Sequence, residues 1–330
     1  MRRWKHFYYA CLNGAELPID FPIIPLGGSS LEVAEIIISR HDKSWEWFRS
    51  LLECSPKLQD LSSSRMDLDT PWHVLKRARL YHRAFIHSVD CRNLLARAPQ
   101  LECGRFAIPK EPGPNDTMPS TPLLHNLTQL ILDTYVPVDA LVDSLTLPSL
   151  KHFAVHYVHL GPSAPHFSFP NFMSFLTRSS CSLETLELTV SYHANDIITF
   201  LEHQAIRDSL KVFRLTGCFR ACIDTFISSL IIPWPSDPSS AASHPAERCL
   251  VPKLETLELG PPLMTTDGIL SEMVLSRMRF GLDPDMACRL KDATLHLTTE
   301  AGHEQDLAQL RLLQNTPGRD FDLKIIMNGL

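Results

Sequence analysis

Three histidines crowd one short stretch, KHFAVHYVHL, at His152, His156 and His159. On a strand, side chains two and four apart share a face, so His152 and His156 would stand together while His159 points elsewhere. A zinc ion needs further His, Cys or carboxylate ligands converging on it, and none stands at ligand spacing in this stretch. These histidines are therefore expected to be solvent-facing strand residues. Cys218 and Cys222 form CFRAC, which would put two thiols on one helical face, but a matching second pair is missing and core packing is expected. LGGSS (26–30) comes nearest to a phosphate-cradling loop in a chain of only 13 glycines. It is expected to be a turn that starts a helix over VAEIIIS. No GxSxG elbow or HExxH pair is present, and the carboxylates come singly. The chain is accordingly not expected to be an enzyme or to hold a cofactor or metal.

Bulk properties agree with a binding role. With 330 residues, 44% hydrophobic and 21% charged, a real core is expected. A net charge of −6 argues against a nucleic-acid binder. Nine scattered cysteines behind an N-terminus without a signal-peptide run point to reduced thiols in cytoplasm or nucleus. No apolar stretch approaches the roughly 18 residues that cross a bilayer, so no membrane contact is expected.

The elements that would carry these side chains follow from one repeating pattern, an apolar anchor followed by apolar residues three and five places later. Clear copies are LTQLIL from Leu127, LKHFAV from Leu150, LETLEL from Leu183, LKVFRL from Leu210 and a second LETLEL from Leu254. Weaker ones start at Leu58, Leu75, Leu101 and Leu290. Across all these copies, only Ser63 and Gly104 break the apolar rule. The phase is that of a short strand with its third and fifth positions buried and its second, fourth and sixth on the open face. Anchor spacings run 17, 26, 26, 23, 33, 27, 44 and 36 residues, mostly near the roughly 20–29 of leucine-rich repeats.

Between anchors, the segments 88–99, 138–148, 171–180, 195–204, 221–232, 267–278 and 304–313 space apolar residues as helices do. Several open on Ser, Asn or Asp, which suit the N-cap, and Pro99, Pro148 and Pro233 close three of them. The expected fold is α/β: a leucine-rich-repeat-like solenoid, with a curved parallel sheet on its concave side and helices on its convex side. Residues 109–121 and 234–249, rich in Pro, Ser and Ala, are expected to be loop insertions.

The phrasing of these motifs resembles a family, the fungal F-box proteins with degenerate leucine-rich repeats. HDKSWEWF (41–48), TPWHVLKRARL (70–80), NLLARAPQLECGRF (93–106), LTLPSLKHFAV, RSSCSLETLELTV, LVPKLETLELGP and MVLSRM occur in that family's order. The resemblance implies a domain over 17–330 like the substrate-receptor region of a ubiquitin ligase subunit, recognising a protein partner. An F-box is a helical segment that docks on a Skp-type adaptor. Residues 1–16 are too short to hold one, and ELPIDFPIIPL (16–26) resembles the strand that follows it. Adaptor binding is thus expected only if an F-box lies upstream. The alternatives are a stand-alone leucine-rich-repeat scaffold or binding protein without a ubiquitin role, and a structural remnant.

The register nominates the partner-binding residues. The open face should carry Arg77, Arg79, Tyr81 and Arg105 in the early repeats, and Gln129, Asp133, His152 and His156 in the middle ones. Later copies place Thr185, Glu187, Arg214, Thr256 and Glu258 there.

Overall fold

A computed structural model describes residues 5–11, 30–38, 45–65, 70–81, 86–109, 118–159, 165–217, 223–232, 249–280, 290–298, 302–315 and 321–328. Residues 16–26, Cys218, Cys222 and most of the two loop insertions, about which expectations were formed, lie outside these. The chain is α/β and divides into two compact units, Met1–Leu150 with Tyr157–His159, and Lys151–His156 with Leu160–Leu330.

In the first unit the order is β1 (His6–Cys11), β2 (Val33–Ile38), α1 (Trp45–Glu53), β3 (Asp60–Ser63), a 3₁₀ turn (Trp72–Val74), β4 (Arg77–Leu80), α2 (Ser88–Arg97) and β5 (Cys103–Ile108). Then come β6 (Leu123–Leu124), β7 (Gln129–Thr134), α3 (Asp139–Asp143) and β8 (Leu145–Thr146). Strands β1, β2, β3, β4, β5 and β7 pair in that order, every pair parallel, and β6 pairs with β8. The second unit holds β9 (His152–Tyr157, to His156), α4 (Phe169–Ser179), β10 (Thr185–Thr189), α5 (Ala194–Leu201), α6 (Gln204–Arg207), β11 (Val212–Thr216) and α7 (Asp224–Leu230). It continues with β12 (Thr256–Leu263), α8 (Ile269–Phe280), β13 (Asp292–Thr298), α9 (Glu304–Gln314) and β14 (Asp322–Asn328). Here β9 to β14 pair consecutively and in parallel.

The anchors behave as turn residues. Each of Leu58, Leu75, Leu101, Leu127, Leu150, Leu183, Leu210, Leu254 and Leu290 is buried, and the strand begins two residues later. The residue just after the anchor closes the turn with its carbonyl, which accepts two N–H groups from the next strand's entry. The Lys151 carbonyl takes Glu184 (2.8 Å) and Thr185 (2.9 Å), and the Glu184 carbonyl takes Lys211 (2.9 Å) and Val212 (3.0 Å). The same bond pair recurs at Glu32, Gln59, Lys76, Glu102, Lys211 and Glu255, so the register is set in the same way at those strand entries. Third and fifth positions are buried, Leu186 with Leu188 and Phe213 with Leu215 among them. Gly104 fits the third position because a Cβ there would stand 2.6 Å from the Phe106 ring. The ring fills the space a larger residue would occupy.

Several expectations need correction. VAEIIIS is not helical: Val33–Ile38 is β2, entered from the buried Leu31, with Ala34 and Ile36 at the third and fifth positions. Its β-branched run packs better on a pleated face than around a helix. The strand array also starts earlier than residue 17, with His6–Cys11. Segment 138–148 yields only the short α3, after which Leu145–Thr146 joins β6. Helix starts use histidine more than Ser, Asn or Asp. The N-caps of α2, α5, α6 and α9 are His87, His193, His203 and His303, and α4 starts on a serine, Ser168. Of the six described cysteines, none forms a disulfide and Cys91, Cys181 and Cys249 are buried. Among the described residues no helix is long and apolar enough to cross a membrane.

Candidate partner-binding strand faces

In the first unit, the even positions of neighbouring strands line up as Asp60, Arg77, Cys103, Gln129 in one row and Ser62, Arg79, Arg105, Ile131 in the next. Arg77 and Arg105 each spend their fork on one carboxylate. Arg77 donates from Nε (2.5 Å) and Nη2 (2.6 Å) to Asp60, and Arg105 donates from Nε (2.7 Å) and Nη2 (3.1 Å) to Asp133. Asp133, expected in the open, is buried at 8% exposure under that fork. The Tyr81 hydroxyl donates to Glu35 (3.2 Å), and burial pushes its ionisation up. Gln129 is half-buried. Arg79 is exposed, and among the described residues no carboxylate pairs with it.

The second unit carries a closed chain of charges. Glu187 sits between Ala154 on β9 and Arg214 on β11, and Arg214 sits opposite Glu258 on β12. His152 Nε2 (3.4 Å) and His156 Nε2 (3.9 Å) reach the two oxygens of Glu187, which also accepts from Arg214 Nη1. Arg214 Nε lies 3.4 Å from Glu258, whose other oxygen is 4.0 Å from His296 Nε2. The two imidazoles beside it, followed by Arg214, hold the Glu187 carboxyl well below the usual carboxylate range, against the opposing effect of burial. Thr189 and Thr216 share a hydrogen bond (2.7 Å) and, with His156, Glu187, Arg214 and Glu258, line a cavity of about 350 Å³. Thr185 and Thr256 are half-exposed at the strand entries.

His152 and His156 thus share a face, as the alternation requires, and bracket a carboxylate two strand positions from each. His159 leaves that group and packs its ring on Tyr135 (5.2 Å between centroids). The trio does not converge as metal ligands, and Arg214 already occupies the shared carboxylate.

One cluster went unread in the sequence. Asp267, His303 and Asp306 bring their ligand-type atoms within 4.8 Å of one another, yet those atoms are already engaged. Asp267 accepts from the backbone N–H of Gln305 and Asp306 (3.0 Å each) and so caps α9 from the loop before α8. Asp306 accepts from Ser271 N–H (2.8 Å) in α8, and His303 bridges Asp306 (3.1 Å) and the Leu263 carbonyl (3.0 Å). Adjacent helices therefore cap each other, a structural joint rather than a ligand site. Its sequence trace was visible as HEQD (303–306), with HSVD (87–90) and HAND (193–196) at two other helix starts.

Compared with protein-family models and with curated proteins, the sequence matches none.

Proposed function

We propose that this chain is a protein-recognition module of the leucine-rich-repeat solenoid kind, similar to the substrate-receptor region of an F-box subunit, with its open strand face as the docking surface and no catalytic residue of its own. One observation carries the reading. Parallel strands in constant register set their second, fourth and sixth positions side by side, so a row of side chains varies freely while anchors and odd positions hold the core. The row holds Arg and Tyr, the types enriched at binding hot spots. Such a face meets an extended protein surface better than a small substrate.

The test is comparative co-purification from source cells. Wild-type chain is set beside variants carrying Tyr81→Ala with Gln129→Ala, or Thr185→Ala with Thr256→Ala, and thermal unfolding confirms that each is folded. A protein that co-purifies with wild type and is lost with either pair supports the reading. Undiminished recovery with both pairs overturns it. The ubiquitin connection has its own test, co-precipitation of the intact transcript's product with a Skp-type adaptor. Absence of adaptor binding there leaves a recognition scaffold without a ligase role.

A further inference from the structure

Among the described residues of the first unit's strand face, two arginines are paired with carboxylates and a third is not. Arg77 and Asp60 neutralise each other, as do Arg105 and Asp133, and Tyr81 holds Glu35. Arg79 lies between these groups, two residues from Arg77 and Tyr81 on the same strand face and directly across from Arg105 on β5. It is exposed, and no described carboxylate pairs with it. Its charge is felt by the Tyr81 hydroxyl, whose proton it makes easier to lose. Arg105, directly opposite on the neighbouring strand, brings a like charge rather than a partner, so Arg79 makes no stabilising charge contact of its own among the described residues. Residues that break a local rule without a compensating contact are concentrated at functional positions.

We propose that Arg79 receives an Asp or Glu side chain of the protein partner, with Tyr81 and the Ser62 position flanking it. The proposal rests on the strand-face reading above and narrows it to one contact. A guanidinium presents a planar fork that fits a carboxylate through two parallel hydrogen bonds, the geometry its neighbours Arg77 and Arg105 already use. A polyanion such as nucleic acid fits poorly. It needs a run of unneutralised cations, whereas here the one described arginine without a carboxylate stands among Asp60, Asp133 and Glu35. An isolated carboxylate on a protein surface matches a single exposed guanidinium set beside two that are already paired.

The probe is a displayed library of random short peptides, selected on the full chain and then synthesised as matched pairs with the acidic residue or its amide. Selected peptides should share one acidic position, and changing it to Asn or Gln should weaken binding to wild type at least about tenfold, the scale of a lost charged hydrogen bond. With Arg79→Gln the acidic and amide peptides should bind equally, while Arg79→Lys should recover only part of the preference. Thermal unfolding verifies that both variants fold. Peptides that lose binding on Tyr81→Ala or Gln129→Ala but show no coupling to Arg79 overturn this inference and leave the strand-face reading standing. Peptides indifferent to every strand-face change overturn both.

Discussion

The strand faces of the two units are built from the same residue types and differ in how their charges close. In the second unit Glu187, Arg214, Glu258 and the histidines His152, His156 and His296 form one continuous chain, so each carboxylate has a cationic or imidazole neighbour. In the first, two arginine–carboxylate pairs leave Arg79 over. A closed chain stabilises its own unit and offers a partner little that is unsatisfied. An open valence stabilises nothing and is available.

That contrast presumes that both faces ride on well-determined scaffolds, and the largest effects test the scaffold. Arg277 in α8 is 1% exposed and meets no carboxylate among the described residues. It donates instead to the carbonyls of Leu230 (2.8 Å), Leu250 (2.7 Å) and Val251 (3.2 Å). Arg277→Met fills much of the space but takes the charged donor from all three carbonyls. It leaves Val251 with the Leu254 N–H (3.3 Å), Leu250 with the Cys249 thiol (3.3 Å) and the Leu230 carbonyl without its guanidinium. A loss of about 3 kcal/mol is expected by denaturant unfolding, since each buried polar group left without a partner costs about 1–3 kcal/mol. Leu186→Ala and Leu257→Ala, fully buried third-position residues, should cost about 2–5 kcal/mol each.

Next in size is a first-unit change. Gly104→Ala drives a methyl into the Phe106 ring and should cost about 1–3 kcal/mol, as overpacking does. Adding Phe106→Leu should return part of that loss. If the single change is silent, the account of why glycine sits at a core position is wrong.

The strand positions were legible in the sequence because the anchor-plus-three-plus-five phase survives variation in loop length. Val33–Ile38 was misread because so short an apolar stretch, five residues of six with Glu35 among them, satisfies a helix and a strand alike, and the anchor Leu31 was overlooked. The charges just after the anchors were also open to view. Lys151, Glu184 and Lys211 alternate in sign, as do Glu255 and Lys291, and they pair across strands at 2.8–3.2 Å. The face residues were found, but their pairings were not, because sequence spacing says nothing about which strand lies next to which when loops vary. Arg277 could not have been found. Its partners are backbone carbonyls, which leave no trace in residue type. The histidine caps were missed because His is not a usual N-cap residue.

The closed chain should show itself in acid. Glu187 is held below the ordinary carboxylate range by His152, His156 and Arg214, so its contribution is fully present above the unfolded value near pH 4.3. It is lost as pH falls through the lower folded value. Glu187→Gln should therefore lower stability by about 1–2 kcal/mol at neutral pH, the scale of hydrogen bonds to a charged group. It should also flatten the decline of stability below pH 4.3. An acid limb identical to wild type would mean that the chain of charges is solvated and contributes nothing.

The smallest effect discriminates best between the faces. Arg79→Gln removes a charge that lacks a described partner and faces Arg105 across the strand pair, so stability should change by no more than about 0.5 kcal/mol, the usual range for surface positions. The sign should favour the variant, because a cross-strand repulsion disappears. Arg214→Gln removes a charge held by two carboxylates and should destabilise. Salt separates the two further: raising ionic strength screens repulsion and attraction alike between exposed groups. The advantage of Arg79→Gln over wild type should shrink in salt, and the deficit of Arg214→Gln should shrink with it, so the two curves approach from opposite sides. Were Arg79→Gln to destabilise the fold as Arg214→Gln does, Arg79 would have a partner within the chain, and its availability to a foreign carboxylate would fall with that finding.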